Sequence, residues 1–304
     1  MPLSKAEQVE SVELVRKFSW IGWLPILVLP VTAIACRNLF PAWVFMWILS
    51  FAIFIGLKWL TWWKARRIVK HPAWLSTAYL LAWPGMDAEA FLDVDQQVLP
   101  PSAKTWVWAS LETTLGAGLL WVVAGSVPQT EALLRGWIGM VGLILLLHFG
   151  AFQIVSLVWR SIGVKAVPIM IAPLCAVSLS EFWGRRWNLG FRQLAHELIF
   201  CPLYRTVGAG LAGFLVFVAS GLIHDLVISL PSRGGYGLPT AYFVLQGLGI
   251  TMERSTFGKR IGFGRGRIGW LFMALFVAGP VFWLFHPWFV LRVILPFMHA
   301  IHAL

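Results

Sequence analysis

The chain has 304 residues, of which 59% are apolar and only 12% are charged, whereas a soluble domain has about 45–50% apolar and about 25% charged residues. So few charges cannot cover the surface of the soluble domains that this length would allow, and the apolar composition also excludes a disordered chain. The net charge of +11 comes from basic clusters between apolar runs, which is typical of membrane-protein loops rather than of nucleic-acid binding. We therefore predict an all-α, polytopic integral membrane protein, with residues 1–304 forming one domain and with no nucleic-acid partner.

The predicted elements begin with a charged segment. Charged residues alternate with apolar ones from residue 5 to residue 18, and this pattern predicts an interfacial amphipathic helix over residues 1–19. A membrane-spanning helix needs about 20 mainly apolar residues, and about eight segments meet this requirement. The candidate spans are 20–36, 41–62, 104–125, 137–159, 207–229, 236–252, 268–285 and 287–303, the last interrupted by Pro296.

Two further apolar stretches are less regular than these spans. Residues 73–86 are short, and residues 166–180 contain Pro168 and Pro173. Both are compatible with re-entrant or half-buried segments, which are tolerated only where protein or a water-filled cavity satisfies the backbone. The predicted fold is therefore about eight transmembrane helices with additional re-entrant or interfacial helices.

Clusters of Lys and Arg predict the orientation of the chain. The segments 64–72 and 254–267 are rich in basic residues, and cytoplasmic loops of membrane proteins carry such an excess. If both segments are cytoplasmic, the N-terminus is cytoplasmic too. The segment 181–205 then lies on the same side, provided that 166–180 does not fully cross the membrane.

The first candidate for chemistry lies inside the predicted span 207–229. His224 follows Ser220 by one helical turn, so the two share a face, whereas Asp225 is rotated away by about 100°. A histidine titrates near neutral pH and can accept a proton from a hydroxyl. The alternative is a histidine that only forms a hydrogen bond between helices.

The second candidate is a short aromatic and basic segment beside a predicted membrane boundary. Trp183, Arg185, Arg186, Trp187 and Asn188 lie within six residues. Arginine binds phosphates and carboxylates through paired N–H groups, and the Asn188 amide can donate to an oxyanion. The alternative is an interfacial aromatic belt with topology-setting arginines.

Together these two segments resemble a known family. FWGRRWN at 182–188, followed by SGLIHD at 220–225, is similar to the membrane-bound O-acyltransferase superfamily, and more narrowly to its wax-synthase-like branch. The clear similarity covers residues 160–230, which we call the motif-bearing core. One departure is Asp225, where plant members more often have Glu.

The resemblance implies a multi-helix fold with a buried chamber, and transfer of a fatty acyl group from acyl-CoA to the hydroxyl of a lipophilic acceptor such as a long-chain alcohol. It places the catalytic histidine on His224 and the motif asparagine on Asn188. His224 would remove the hydroxyl proton, and Asn188 would stabilise the oxyanion or hold the thioester. The residues expected to contact substrate are Trp183, Arg185, Arg186, Trp187, Ser220 and His148. No metal or redox cofactor is expected, and the partners are acyl-CoA, the acceptor and membrane lipids.

A second class of function remains open at this point. His148 lies mid-span and is also compatible with an interhelical hydrogen bond. His224 could instead serve as the proton site of a proton-coupled secondary transporter, with 166–180 as a broken segment. Transporters often contain two related halves, and the sequence has no visible duplication. The three cysteines lack metal-ligand spacing.

Overall fold

A computed structural model describes residues 19–304, which form helices and irregular connections without a strand in that range. The interfacial helix predicted for residues 1–19 lies outside the described residues except for Ser19, which begins α1. The elements are α1 (Ser19–Ala35), α2 (Ala42–Ala65), α3 (Ala73–Ala82), α4 (Ala88–Leu92), α5 (Ala103–Ser126), α6 (Gln129–Ser161), α7 (179–186), α8 (Leu189–Ser232), α9 (Leu238–Arg254), α10 (Thr256–Ile261), α11 (Gly266–Leu284) and α12 (Pro287–Ala300).

The described residues include five helices that are long and apolar enough to cross a membrane. These are α2, α5, α6, α8 and α11, and each contains or largely covers one predicted span. The polytopic, all-helical fold is therefore confirmed, whereas the predicted number of eight spans is not. Helices α1, α3 and α12 are apolar but shorter.

Helices α2 and α8 run antiparallel and define the two ends of the bundle. Ala42 at the start of α2 and Ser232 at the end of α8 line the same pocket. At the other end, Lys58 of α2 donates to the carbonyl of Gly85, and Gly190 of α8 packs beside Met86. Helix α9 starts beside Asp225 and ends at Arg254, whose Nε donates to Ser180 Oγ over 3.1 Å.

The two predicted basic loops therefore meet at one end of the bundle, which we call the basic end. One loop follows α2 and the other follows α9. Residues 166–178 lie at this end as an irregular segment with a single turn at Pro173–Cys175. The expectation that this segment does not form a crossing helix is confirmed, because its prolines interrupt the backbone hydrogen bonding of a helix.

Helix α12 lies along the end of the bundle opposite the basic end and does not cross the bundle. It has 14 residues, which reach only about 21 Å at 1.5 Å per residue. Near its start, Trp288 packs on Gly234 in the α8–α9 connection. Near its end, the ring of Phe297 lies 5.7 Å from that of Trp43 at the start of α2. The span predicted at 287–303 is therefore not formed as a crossing helix.

Candidate active site

Helix α7 carries most of the FWGRRWN motif, and two side chains fix its start. Ser178 Oγ accepts a hydrogen bond from the Glu181 amide over 2.9 Å, as a helix cap does. The buried carboxylate of Glu253, at the end of α9, accepts from the Leu179 amide over 2.6 Å. Glu253 thus anchors the motif helix to a second helix, and sequence reasoning missed this residue.

Arg186 is committed to holding the motif together. Its Nε donates to Glu181 Oε1 over 2.7 Å, and its Nη1 donates to the carbonyls of Ile171 and Ala172 over 3.3 and 3.2 Å. A hydrogen bond from the Val177 amide, together with the Arg186 guanidinium, holds the pKa of the Glu181 carboxyl below its ordinary value. These contacts of Arg186, which we call the clamp, join the irregular segment 166–178 to the motif.

Arg185 has a different environment from its neighbour. Its side chain is exposed, and it forms no hydrogen bond or ion pair with the part of the chain that the structure describes. The two motif arginines, which the sequence treats alike, therefore differ: Arg185 is free to meet a ligand and Arg186 is not.

The motif tryptophans pack inward from α7. Trp183 Nε1 donates to Gln246 Oε1 of α9 over 3.2 Å, and its ring centroid lies 5.6 Å from that of Phe243. Trp187 stacks on Phe182 with centroids 5.4 Å apart and ring planes 15° from parallel. These contacts couple the motif to α9.

Asn188 ends the motif in a left-handed backbone conformation, with φ 45° and ψ 58°. Asparagine tolerates this region better than most residues. Its Oδ1 accepts a long, 3.5 Å hydrogen bond from the Phe191 amide at the start of α8. Its backbone N–H donates to Met170 Sδ over 3.2 Å. The side-chain nitrogen, Nδ2, has no hydrogen-bond partner among residues 19–304, so it remains able to donate to a ligand.

His224 lies in α8 with one ring nitrogen engaged. Its Nδ1 lies 2.7 Å from the backbone carbonyl oxygen of Ser220. A carbonyl oxygen only accepts, so Nδ1 carries the proton and Nε2 presents its lone pair. Ser220 Oγ instead donates to the Val216 carbonyl over 2.9 Å. The shared face predicted for Ser220 and His224 is present, but the contact uses the serine backbone and not its hydroxyl.

Asp225 faces away from the imidazole and joins α8 to α9. Its Oδ1 accepts from Ser229 Oγ and from the Gly237 amide, each over 2.8 Å. Its Oδ2 accepts from the Thr240 amide over 3.0 Å and from the Thr240 hydroxyl. Beside it, a Cβ on Gly221 would lie 2.7 Å from Thr240 Cα, so only glycine permits this close approach of the two helices.

Two cavities border the motif. The first, the Asn188 cavity, has a volume of about 830 Å³ and is lined mainly by apolar side chains of α2, α3 and α6. It includes Asn188 and His148, and His148 Nδ1 is buried without a hydrogen-bond partner in the described part of the chain. Ligand sites typically have volumes of about 300–1,000 Å³, so this cavity is large enough for a long-chain substrate.

The second, the Trp183 cavity, has a volume of about 610 Å³ and lies at the basic end. Trp183 and Gly184 of α7 line it together with Arg192 and His196 from the start of α8 and Arg254 from the end of α9. It therefore combines an aromatic wall with cationic groups near the expected membrane surface.

The structure brings the predicted residues together in two groups. His148 and Asn188 share the Asn188 cavity. Trp183 and His224 face the same ring, that of Phe243, whose centroid lies 4.4 Å from that of His224. His224 itself does not line either cavity within residues 19–304.

Sequence reasoning missed two residues of this region besides Glu253. Phe243 is one apolar residue among many in α9, and no sequence signal distinguishes it. Lys58 is buried in α2, and its Nζ lies 3.3 Å from the centroid of the Tyr79 ring. A charged residue inside an apolar run is a signal that could have found Lys58.

Comparisons with known proteins support the family resemblance. Residues 166–245 match the model of the membrane bound O-acyl transferase family. This segment is similar to that family. It includes both motifs, so the O-acyl transferase resemblance predicted from FWGRRWN and SGLIHD is confirmed.

The curated relatives agree with this membrane bound O-acyl transferase assignment. The chain is 31% identical over 142 residues to a probable long-chain-alcohol O-fatty-acyltransferase 7 of Arabidopsis thaliana, covering 41% of each chain. It is 28% identical over 138 residues to a long-chain-alcohol O-fatty-acyltransferase of Simmondsia chinensis, covering 37% of this chain and 39% of that protein. An acyl-CoA–sterol O-acyltransferase 1 of Arabidopsis thaliana is 31% identical over 128 residues, covering 38% of this chain and 37% of that protein. The matches span about two fifths of these relatives.

Proposed function

We propose that the protein is a membrane-bound acyltransferase that moves a fatty acyl group from acyl-CoA to the hydroxyl of a long-chain alcohol, forming an ester. The observation that carries the proposal is the state of His224, whose Nδ1 hydrogen bond to the Ser220 carbonyl leaves Nε2 as a proton acceptor within the family segment. The alcohols in the names of the relatives, together with an apolar cavity of about 830 Å³, support a lipophilic acceptor.

In the proposed reaction, His224 Nε2 takes the proton from the acceptor hydroxyl while the hydroxyl oxygen attacks the thioester carbonyl. The amide of Asn188 donates to the developing oxyanion, a contact that stabilises a transition state more than a ground state. The thiolate of CoA leaves and takes up the proton held by His224 Nε2, which returns the imidazole to its neutral form. Apolar walls around the Asn188 cavity hold the chain and exclude water, which would otherwise hydrolyse the thioester.

The test is ester formation by the purified full chain in detergent, supplied with radiolabelled palmitoyl-CoA and hexadecanol. We expect His224→Ala to lower turnover by about 10²–10⁴-fold, which is the usual contribution of a general base. His299→Ala is the control, since His299 is an exposed histidine of α12 that lines neither cavity, and its turnover should stay close to that of the wild type. Wild-type turnover in a monodisperse His224→Ala protein would contradict the mechanism.

The same preparation separates an enzyme from a transporter. Label that moves from CoA into a neutral lipid supports acyl transfer. Uptake of an unmodified substrate into sealed vesicles, with no ester formed, would favour the proton-coupled secondary transporter. The comparisons give that alternative no support.

The arginines of the motif suggest where CoA binds. Arg186 is held by Glu181, whereas Arg185 is exposed, and Arg192 and Arg254 line the Trp183 cavity. We place the phosphates of CoA at Arg192 and Arg254, with Arg185 at the exposed side, because guanidinium groups match phosphate oxygens. The proposal puts the basic end on the cytoplasmic side, where acyl-CoA is found.

A steady-state experiment distinguishes the roles of these arginines. We expect Arg192→Gln and Arg185→Gln to raise KM for palmitoyl-CoA with little change in KM for the alcohol. Arg186→Gln should instead lower thermal stability, because it breaks the clamp to Glu181 and Ile171. Arg267→Gln, another exposed arginine at the basic end, is the control. An unchanged KM in both Arg192→Gln and Arg185→Gln would assign those residues to topology alone.

A further inference from the structure

A separate cavity at the end of the bundle opposite the basic loops is rich in arginine. This arginine pocket has a volume of about 610 Å³ and is lined by the α1–α2 connection, the end of α8, the loop after α8 and α12. Three of its lining residues are Arg37, Arg233 and Arg292, and within residues 19–304 no carboxylate lines it. The pocket therefore has an uncompensated positive charge among the described residues.

Most donors of these guanidinium groups are not used by the protein. Arg292 Nη1 donates to the carbonyls of Ser232 and Arg233 over 3.1 and 3.2 Å, and Arg233 Nη2 donates to Asn38 Oδ1 over 3.4 Å. The Arg37 side chain has no hydrogen bond or ion pair in the described range. Since each guanidinium carries five N–H donors, the pocket retains many for an anion.

The position of these groups is fixed by the fold. Ser232 is fully buried, and its Oγ donates to the carbonyls of Ser229 and Gly234 over 3.1 and 3.2 Å. Arg233 follows with a left-handed backbone, φ 50°, a conformation that persists in a non-glycine residue only when its surroundings impose it. Arg292 donates to two carbonyls of this turn, and these hydrogen bonds fix the turn and the two arginines relative to each other.

The remaining walls of the pocket are partly apolar. Beside the polar Asn38, Ser232 and Tyr236, they consist of Phe40, Ala42, Phe45, Leu230 and Pro231. A ligand that satisfies both surfaces needs an anionic group with several acceptor oxygens and an attached apolar chain. Guanidinium forks match the oxygens of both phosphates and carboxylates, and we choose phosphate, which the comparison with oleate below tests.

The location adds an independent argument. Lys and Arg are normally depleted from the side of a membrane protein that is opposite its basic loops. Arg37, Arg233 and Arg292 lie on that side, so topology does not account for them. A bound anion would supply the counter-charge that the described residues lack.

We propose that the arginine pocket binds the phosphate of an anionic phospholipid, whose chain begins along Phe40 and Phe45. The proposal is independent of acyl transfer, since it concerns the other end of the bundle from the Trp183 cavity.

The experiment measures binding of dioleoylphosphatidylglycerol to the purified full chain in neutral detergent by native mass spectrometry. Arg37→Gln is the test variant, because this side chain holds no described contact and its loss should leave the fold intact. We expect the Kd of the Arg37→Gln variant for the phospholipid to be about tenfold higher than that of the wild type, which is the effect of losing one charge-assisted hydrogen bond. Arg267→Gln, an exposed arginine at the basic end, should bind as the wild type does.

Competing ligands identify what the pocket recognises. Glycerol phosphate that competes as strongly as the lipid would overturn the lipid assignment in favour of a free phosphate. Oleate that binds as tightly as phosphatidylglycerol would overturn the phosphate assignment. Equal lipid affinity in Arg37→Gln and the wild type, with equal Tm in the absence of lipid, would overturn the site itself.

Discussion

At the scale of single residues, the carbonyl of Ser220 decides which nitrogen of His224 can accept a proton. The 2.7 Å contact with Nδ1 is made by the backbone one turn earlier, where the helix places a carbonyl beside every residue four positions on. The tautomer therefore depends on helical geometry and not on a neighbouring side chain. The arrangement leaves Nε2 as the proton acceptor that the proposed reaction needs.

This geometry predicts a nearly silent substitution in the SGLIHD motif. Ser220→Ala removes a hydroxyl that donates only to the Val216 carbonyl and keeps the carbonyl that orients His224. We expect ester turnover within about fivefold of the wild type, since the net free energy of one such hydrogen bond is about 1 kcal/mol. The measurement is the hexadecanol assay above. A loss as large as that of His224→Ala would instead place the serine hydroxyl in the reaction.

The sequence predicts some residues of the site and not others, for a physical reason. The sequence singles out His224 as an ionisable group inside an apolar helix and Asn188 through the resemblance of FWGRRWN to the family motif, and the roles of both residues stay predictions. The difference between Arg185 and Arg186 is not predictable, because it depends on Glu181 and on the carbonyls of Ile171 and Ala172, which reach the motif only in three dimensions. The same applies to Phe243 on α9.

At the scale of elements, the carboxylate of Asp225 fastens the helix that carries His224 to the start of α9. Its four hydrogen bonds reach Ser229, Gly237 and Thr240, so it caps α9 from a neighbouring helix. All of its described partners are hydroxyl or backbone N–H groups that connect α8 to the start of α9. The residue that follows the histidine in the motif therefore belongs to the scaffold.

Asp225→Ala should accordingly act on stability. It leaves two amides and two hydroxyls without their acceptor, and the loss of a helix cap alone costs about 1–2 kcal/mol. We expect a lower Tm in detergent, with a smaller decrease in Asp225→Asn, which retains one acceptor oxygen. The measurement is the thermal unfolding temperature of each variant together with its ester turnover. An unchanged Tm with abolished turnover in Asp225→Ala would show that the carboxylate takes part in the chemistry.

Local departures from regular helix are the features that hydropathy does not predict. Wide, π-helical turns occur at Leu145–Ala151, which includes His148, at Phe182–Arg186 in the motif, and at Asp225–Ser229 directly after His224. Such turns are frequent at functional sites. Helix α8 is also broken at Gly208, with φ 77° and ψ 167°, a backbone that glycine adopts without strain.

At the scale of the whole molecule, the chain has two chemically different ends. The basic end holds the Trp183 cavity and the loops after α2 and α9, and the other end holds α12 and the arginine pocket. Positions of the long helices followed from hydropathy, because an apolar run of sufficient length has few alternatives to a helix in a membrane. The number of crossings did not follow, because α1 and α9 have only 17 residues each and α12 lies along one end.

The orientation of these ends is testable by cysteine labelling. The background replaces Cys36, Cys175 and Cys201 with serine, and single cysteines are then placed at Lys259 and Asn38. In intact cells we expect an impermeant maleimide to label Asn38→Cys and not Lys259→Cys, because basic loops stay in the cytoplasm. Labelling of both after membrane permeabilisation is the control. Labelling of Lys259→Cys alone in intact cells would reverse the orientation.

The contact between His224 and Phe243 has a consequence for the charge that the proposed reaction creates. Once Nε2 has taken a proton, the ring is an imidazolium, and Asp225 is fully engaged elsewhere. The aromatic ring of Phe243, with its centroid 4.4 Å away, then becomes a cation–π partner, an interaction of about 0.5–2 kcal/mol. The site would thus stabilise a transient positive charge with the quadrupole of an aromatic ring as well as with the field of the neighbouring Asp225 carboxylate, which forms its hydrogen bonds with other groups.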